Sequence, residues 1–254
     1  MGLIVEFNAP FSIAHIIYLI LNIIWFIAGA ILIKKKVKNE DTKILIIRIS
    51  GLLLIICVTL MRIDDTINGI KTNPEINKWY HIFPQSFCSF ISFVLGFSAL
   101  FFKKDNIVFH FAVYMAIYGG GISTLYPEYL SDELPFLSLN GVTSLLHHSL
   151  QLWICTLILT NRFMIPDYKK IYSLIIGYGI MLFVGVFELF VLKYPTAMNL
   201  NQYLSEDVGP ITSWWALYIA SILVTLLFIF ILKKIYKHVD EKKAIESNQN
   251  VNWL

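Results

Sequence analysis

Charged side chains are scarce in this chain. Only 15% of its 254 residues are Asp, Glu, Lys or Arg, whereas soluble proteins carry about 25%. Hydrophobic residues make up 57% and the mean hydropathy is +0.68. The chain therefore has too few polar residues to cover a surface that faces water, which excludes a soluble enzyme, and it is too hydrophobic for a disordered chain. Three cysteines are too few for a disulfide scaffold. A net charge of +3 excludes a protein that binds nucleic acid electrostatically.

Long apolar runs are the main feature that is present. A helix needs about 20 apolar residues to cross the hydrocarbon core, and seven stretches fit: 12–33, 44–62, 84–102, 107–123, 141–160, 171–192 and 211–232. The runs are continuous rather than alternating, which excludes a transmembrane β-barrel. We therefore expect an all-α polytopic bundle of seven transmembrane helices in residues 1–237, followed by a cytoplasmic polar tail at 238–254.

The basic residues predict the orientation of this bundle. Fifteen of the twenty Lys and Arg residues lie in the first, third and fifth loops and the tail, and four lie on the other side. Because basic loops stay in the cytoplasm, the amino terminus is predicted outside and the carboxyl terminus inside. The first run lacks a basic n-region and a cleavage site, so we expect a retained span. No Asn-x-Ser/Thr sequon occurs, which suits a bacterial plasma membrane.

Ionisable groups inside such apolar spans usually mark functional sites or their structural partners. With 1.5 Å of rise per helical residue, several of them are predicted to share one layer close to the outer surface. These are Arg62, Cys88, His147, His148 and Glu188. Nothing comparable is expected on the inner side, where His110 and Cys155 are predicted to stand alone. The sequence therefore predicts a one-sided polar layer.

Each of these residues also has an ordinary structural interpretation. A cysteine in a span is usually a small packing residue, and we assign that role to Cys57 and Cys155. A histidine in a span often only links two helices by a hydrogen bond. Since neighbouring helix positions diverge by about 100°, His147 and His148 are not expected to serve one metal or one substrate. From chemistry alone, Cys–His nucleophilic catalysis is one of several interpretations.

Three stretches carry a resemblance to a known family. Residues 84–88 (PQSFC) open a span, residues 146–150 (LHHSL) lie two spans later, and the polar loop 194–199 (YPTAMN) leads to Gly209-Pro210 and Trp214-Trp215. Together they resemble the YwaF-like family of bacterial integral membrane proteins. That family is similar to eukaryotic membrane acyltransferases that remodel ether phospholipids through an acyl-cysteine intermediate. A His that often stands two residues before the family's Cys is Ser86 here.

The resemblance implies a membrane-embedded lipid acyltransferase, or acyl hydrolase, that works in the outer leaflet. Cys88 falls on the family's nucleophile, and His148 on its histidine, with His147 as the alternative. The residues expected to hold the substrate or orient the imidazole are Arg62, Gln151, Glu188 and Asn199. Membrane phospholipids are the implied partners; no cofactor, metal or nucleic acid is expected.

Two further interpretations use the same polar layer without covalent chemistry. In a transport or ligand-binding protein, Arg62, Glu188 and the histidines would form a relay. A transporter is expected to have midplane polar groups and broken helices in paired repeats, whereas these groups lie near one face. A retinal protein is excluded because the run 211–232 has no Lys. In a structural subunit, the layer would only join helices, for example through an Arg62–Glu188 pair.

Overall fold

The computed structural model describes residues 11–75, 78–127, 137–194 and 214–251. For residues 214–217 and 243–251 it describes the backbone alone. Every regular element in these ranges is helical, and they contain no strand. The α-helices are α1 (Ile13–Lys36), α2 (Glu40–Thr72), α3 (Phe87–Leu100), α4 (Ile107–Leu125), α5 (Leu139–Thr160), α6 (Tyr172–Phe190) and α7 (Trp214–Val251). Two 3₁₀ turns, Trp79–Ile82 and Tyr168–Lys170, precede α3 and α6.

Six of the described helices are long and apolar enough to cross a membrane, which are α1, α2, α4, α5, α6 with its preceding turn, and α7. Helix α3 is also apolar but has 14 residues. At 1.5 Å per residue it is about 21 Å long, shorter than a hydrocarbon core of about 30 Å. The predicted all-α membrane bundle is confirmed. The count of seven spans, the orientation and the boundary at residue 237 stay predictions.

Two of the helix boundaries that differ from the predicted spans have local reasons. Helix α2 continues past Arg62 to Thr72, and the ion pair between Arg62 and Asp65, one turn apart, supports this polar extension. Helix α3 begins at Phe87 because Ser86 is its N-cap. The Ser86 hydroxyl accepts a hydrogen bond from the Ser89 backbone, and Ser89 accepts one from the Ser86 backbone.

Helix α5 occupies the middle of the bundle, with α1, α2, α3 and α4 packed around it. Trp153 of α5 stacks on Trp25 of α1 at 5.2 Å between ring centroids. The indole N–H of Trp153 also donates to the Ser50 hydroxyl of α2 at 3.2 Å. The helix that carries both candidate histidines is therefore buried on most sides.

Helices α2 and α3 approach closely where both have glycine. A Cβ on Gly51 would lie 2.7 Å from the Cβ of Ala99 and 2.7 Å from the carbonyl oxygen of Gly96. Small residues at such crossings let backbones pack directly in a membrane, where helix association depends on close packing. This contact fixes α3, and with it Cys88, against the rest of the bundle.

The basic face, by which we mean the bundle end with segments 34–43, 101–106 and 161–171, contains a buried histidine network. The Nε2 atom of His110 lies 2.9 Å from Asp105 Oδ1 and 3.1 Å from Lys170 Nζ, and its Nδ1 lies 3.1 Å from the Tyr114 hydroxyl. Lys170 also forms an ion pair with Asp105. The prediction that His110 stands alone is wrong, because Asp105 and Tyr114 are near it in sequence and the fold brings Lys170 from a distant segment.

Candidate functional site

Cys88 is the second residue of α3, directly after the Ser86 cap and Phe87. It is half-buried, and its Sγ lies 3.7 Å from the Ser123 hydroxyl of α4. The first N–H groups of a helix have no partner within it, and the positive end of the helix dipole stabilises nearby negative charge. Cys88 therefore lies beside the positive end of the α3 dipole.

Two glycines of α4 let this helix pass close to both α3 and α5. A Cβ on Gly119 would lie 3.0 Å from the Phe87 ring and 3.6 Å from the Cys88 sulfur. A Cβ on Gly120 would lie 2.7 Å from Gln151 Oε1. Gly121, in contrast, has nothing within 4 Å of a Cβ. Gly119 and Gly120 thus act as close-approach residues at the candidate site.

Gln151 joins the cysteine helix to the histidine helix. Its Nε2 donates to the carbonyl oxygen of Cys88 at 3.1 Å and to the Ser92 hydroxyl at 2.5 Å. The Ser92 hydroxyl in turn donates to the same carbonyl oxygen at 2.9 Å. Gln151 also interacts with the ring of His148, one turn earlier on α5. The fold therefore links the Cys88 backbone to His148 through Gln151.

The rings of His147 and His148 contact each other, and both residues are buried. Their centroids are 3.9 Å apart with planes at 38°. Although neighbouring helix positions diverge by about 100°, the two side chains fold towards each other. That the pair does not serve one metal or one substrate stays a prediction. His147 Nδ1 lies 3.2 Å from the Thr143 carbonyl oxygen, which can only accept, so this nitrogen carries the proton. His147 Nε2 is then an acceptor, buried without a hydrogen-bond partner among the described residues.

Arg62 is only 5% exposed and holds the chain that leads into α3. Its Nη1 donates to Asp65 at 2.8 Å, its Nη2 to the His81 carbonyl oxygen at 2.6 Å and its Nε to the Phe83 carbonyl oxygen at 3.3 Å. Gln85 donates to the same His81 oxygen at 2.5 Å. All three guanidinium nitrogens are thus engaged within the protein, and two of them hold carbonyl oxygens of the segment just before α3.

His81 lies between this segment and the end of α6. Its ring packs edge-on against Tyr194 at 4.3 Å and Tyr80 at 4.8 Å between centroids. Burial, together with the positive charges of Arg62 and Lys78, lowers the pKa of His81. The ring is therefore neutral at pH 7, and its buried Nε2 has no hydrogen-bond partner in the described part of the chain.

Glu188, near the end of α6, completes this side of the site. It is buried, and neither carboxyl oxygen has a hydrogen-bond partner among the described residues. The charge of Arg62 acts on this carboxyl, although the ion pair of Arg62 is with Asp65 and not with Glu188. The Glu188 carbonyl oxygen accepts from the Tyr194 backbone at 3.0 Å. A buried carboxyl thus lies near Arg62 and near the end of α6.

A comparison with protein families identifies the chain at this point. The model of the TMEM164 family matches residues 10–234. The chain belongs to the TMEM164 family. No curated protein and no solved structure was found to match it. The match to this membrane-protein family includes Cys88, both histidines and Gln151; the YwaF-like resemblance and the acyltransferase activity stay predictions.

Several contacts of this TMEM164-family chain were not predicted from its sequence. Ser92 follows Cys88 by one helical turn, so its spacing could have identified it. No sequence signal points to Ser123 or to the Thr143 carbonyl. Asn199 lies outside the described residues. Within the part of the chain that the structure describes, no three His, Cys, Asp or Glu side chains come close enough to hold a metal ion.

Proposed function

We propose that this TMEM164-family protein is a cysteine-dependent lipid acyltransferase or acyl hydrolase in which Cys88 is the nucleophile. One observation carries the proposal. Gln151, on the helix with both histidines, donates a hydrogen bond of 3.1 Å to the Cys88 carbonyl oxygen. Nucleophilic catalysis by cysteine needs a thiol and a base on a rigid support. The resemblance to acyltransferases that form an acyl-cysteine adds the reaction class.

In the first half-reaction, the Cys88 thiol gives its proton to an imidazole nitrogen, and the thiolate attacks an ester carbonyl of a phospholipid. The carbon–oxygen bond to the glycerol breaks, and the imidazolium returns the proton to the departing lysolipid oxygen. The acyl group is then held on sulfur as a thioester. In the first turn of α3 the Ser89 N–H is already bonded to the Ser86 hydroxyl, so the N–H groups of Phe87 and Cys88 are the proposed donors to the oxyanion that forms on the way.

In the second half-reaction, an acceptor hydroxyl or water attacks the thioester. The imidazole takes the proton of the acceptor, the carbon–sulfur bond breaks, and the Cys88 thiolate is reprotonated by the imidazolium. The acceptor decides whether the reaction is transfer or hydrolysis. The chemistry of the chain's own residues is the same in both cases.

His148 is our choice of base, and His147 is the alternative. The contact of His148 with Gln151, which also bonds the Cys88 backbone, supports His148. The free Nε2 of His147, with Nδ1 held at the Thr143 carbonyl, supports His147. Separate His147→Ala and His148→Ala variants decide between them, because only loss of the base should stop formation of the acyl-enzyme.

The other residues that were predicted to bind the substrate have supporting roles in this mechanism. Arg62 positions the segment that leads to Cys88, since its nitrogens bond Asp65 and two carbonyl oxygens. We assign Glu188 and Asn199 to binding of the phospholipid headgroup. We further propose that α3 also crosses the membrane, which brings the number of spans to seven. With the amino terminus outside, Cys88 then lies at the depth of lipid esters in the outer leaflet.

A second candidate is non-enzymatic transport or ligand binding. The specific observation in its favour is Glu188, whose buried carboxyl oxygens lack hydrogen-bond partners among the described residues. Buried carboxyls of this kind serve as proton or cation sites in membrane transporters. Under this alternative, substitution of Glu188 abolishes function and substitution of Cys88 does not.

The decisive experiment uses the purified protein in nanodiscs that contain a phospholipid with a labelled acyl chain. Formation of lysolipid and the mass of the Cys88 peptide are measured together. Cys88→Ala should abolish both turnover and the acyl adduct, whereas Cys57→Ala, at a buried cysteine of α2, should change neither. Turnover by a folded Cys88→Ala protein would falsify the proposal.

A further inference from the structure

A cavity lies at the basic face, between α1, α2, α5 and α7, and has no part in the cysteine chemistry. Its volume is about 340 Å³, within the range of small-molecule sites of about 300–1,000 Å³. Apolar side chains from α5 and α7 form one part of its wall, and three cationic side chains contribute another. The residues that decide its chemistry are Lys34, Lys43, Arg162, Leu232, Ile235 and Tyr236.

The charges around this cavity are unbalanced. No Asp or Glu is among its described lining residues. Arg162 is paired with Asp240 at 2.8 Å, and its guanidinium lies 4.8 Å from the centroid of the Tyr236 ring. Lys34 and Lys43, in contrast, form no ion pair with any carboxylate in the described ranges. Two ammonium groups from different helices thus border one cavity without a protein counter-charge.

The apolar wall of the cavity indicates which kind of anion it can bind. Leu232 and Ile235 belong to the stretch of α7 that is apolar enough to cross a membrane, and Ile235 is exposed. A ligand that touches both the lysines and this wall must combine a negative group with a hydrocarbon part. Basic pockets between transmembrane helices bind anionic lipid headgroups for this reason. A choline or ethanolamine headgroup would add a positive charge beside three cations.

We propose that this cavity binds the headgroup of an anionic phospholipid. Its phosphate lies between Lys34 and Lys43, and the upper part of an acyl chain lies along Leu232 and Ile235. Arg162, held by Asp240 and Tyr236, closes the rim. The site is independent of the cysteine chemistry proposed above, because it uses none of the same residues.

The test measures binding of phosphatidylglycerol to the full chain in a zwitterionic detergent, by native mass spectrometry and by the shift in melting temperature. The double variant Lys34→Gln/Lys43→Gln should bind phosphatidylglycerol about 25-fold more weakly, at about fivefold for each lysine near an anionic lipid. The matched control Lys35→Gln/Lys38→Gln changes two exposed lysines of the same segment that do not line the cavity. It should bind like the unmodified protein.

Two further ligands identify the source of the phosphate. Phosphatidylcholine should bind at least tenfold more weakly than phosphatidylglycerol, and inorganic phosphate should give no shift at concentrations where phosphatidylglycerol saturates. Equal binding of phosphatidylglycerol by the double variant and the control, or equal binding of the two lipids, would overturn the site. Inorganic phosphate that binds as well as the lipid would overturn the lipid assignment. Since no readout depends on Cys88, failure here leaves the acyltransferase proposal untouched.

Discussion

The side chain of Gln151 donates a hydrogen bond of 3.1 Å to the backbone carbonyl oxygen of Cys88, although 63 positions separate the two residues in sequence. The same nitrogen donates to the Ser92 hydroxyl one turn further along α3. A buried amide that bonds two groups on a neighbouring helix fixes both the rotation and the height of that helix. Gln151 thereby holds the cysteine helix in register with the histidine helix.

Replacement of Gln151 by Leu should therefore affect catalysis much more than stability. We expect a loss of about 1 kcal/mol of stability, the net value of a typical hydrogen bond. Turnover should fall about 100-fold, because a shift of about 1 Å in a reacting group has that effect. The control is Asn22→Leu, a buried amide of α1 that bonds Tyr18 of its own helix. If both variants lost turnover equally, Gln151 would have no special role in positioning Cys88.

Gly120 and Gly121 provide a matched pair for the contact between α4 and α5. A methyl group on Gly120 would lie 2.7 Å from Gln151 Oε1 and 3.6 Å from the His148 carbonyl oxygen, whereas one on Gly121 meets nothing within 4 Å. Gly120→Ala should lower stability by about 1–3 kcal/mol through overpacking and reduce turnover. Gly121→Ala should be neutral or should stabilise by up to about 1 kcal/mol, because Ala favours helix. Thermal unfolding in detergent and lysolipid release measure the two effects, and a reversed order would contradict the packing described here.

Arg62→Gln tests whether this residue supports the chain or binds the substrate phosphate. As a support, Arg62 bonds Asp65 and the carbonyl oxygens of His81 and Phe83, so its loss should lower stability by about 2–3 kcal/mol. Arg48→Gln is the control, because Arg48 is an exposed residue of the same helix. A variant as stable as the unmodified protein, but with a raised KM for phospholipid, would show that Arg62 contacts the phosphate instead.

Asp105→Asn should lower the stability of the folded protein by an amount that depends on pH. Burial raises the pKa of Asp105, but hydrogen bonds from Lys170 and His110 and the charge of Lys170 outweigh it, so the pKa lies below its ordinary value. A carboxyl with a depressed folded-state pKa stabilises the protein above its unfolded pKa of about 3.9 and loses this contribution as pH falls through the folded value. The stability difference between the unmodified protein and Asp105→Asn should be constant above about pH 5 and should shrink below about pH 4.

The control for this pH series is Asp64→Asn, because Asp64 forms no ion pair with a described residue. Denaturation midpoints measured between pH 3 and pH 7 give both differences. A pH-independent difference for Asp105→Asn would mean that the carboxylate charge contributes nothing to the network with His110 and Lys170.

Part of the candidate site could be predicted from the sequence. Cys88, His147 and His148 were found because ionisable groups are conspicuous in an apolar span. Gln151 was found because it lies one helical turn after the histidines. The contact of the two histidine rings and the approach of Lys170 to His110 could not be predicted, since they depend on side-chain rotamers and on a distant segment of the chain.

Membrane residence and all-helical structure were determined by the sequence alone. Both follow from sums along the chain, because a run of about 20 apolar residues is stable only where the backbone bonds itself inside the lipid. Which polar groups meet was decided by the tertiary structure. The rotation of each helix depends on close packing at points such as Gly51 against Ala99 and Gly120 against Gln151. That packing, and not the pattern of residues along one helix, brought Gln151 to Cys88. The ion pair of Arg62 with Asp65, in contrast, follows from their spacing of one turn along α2.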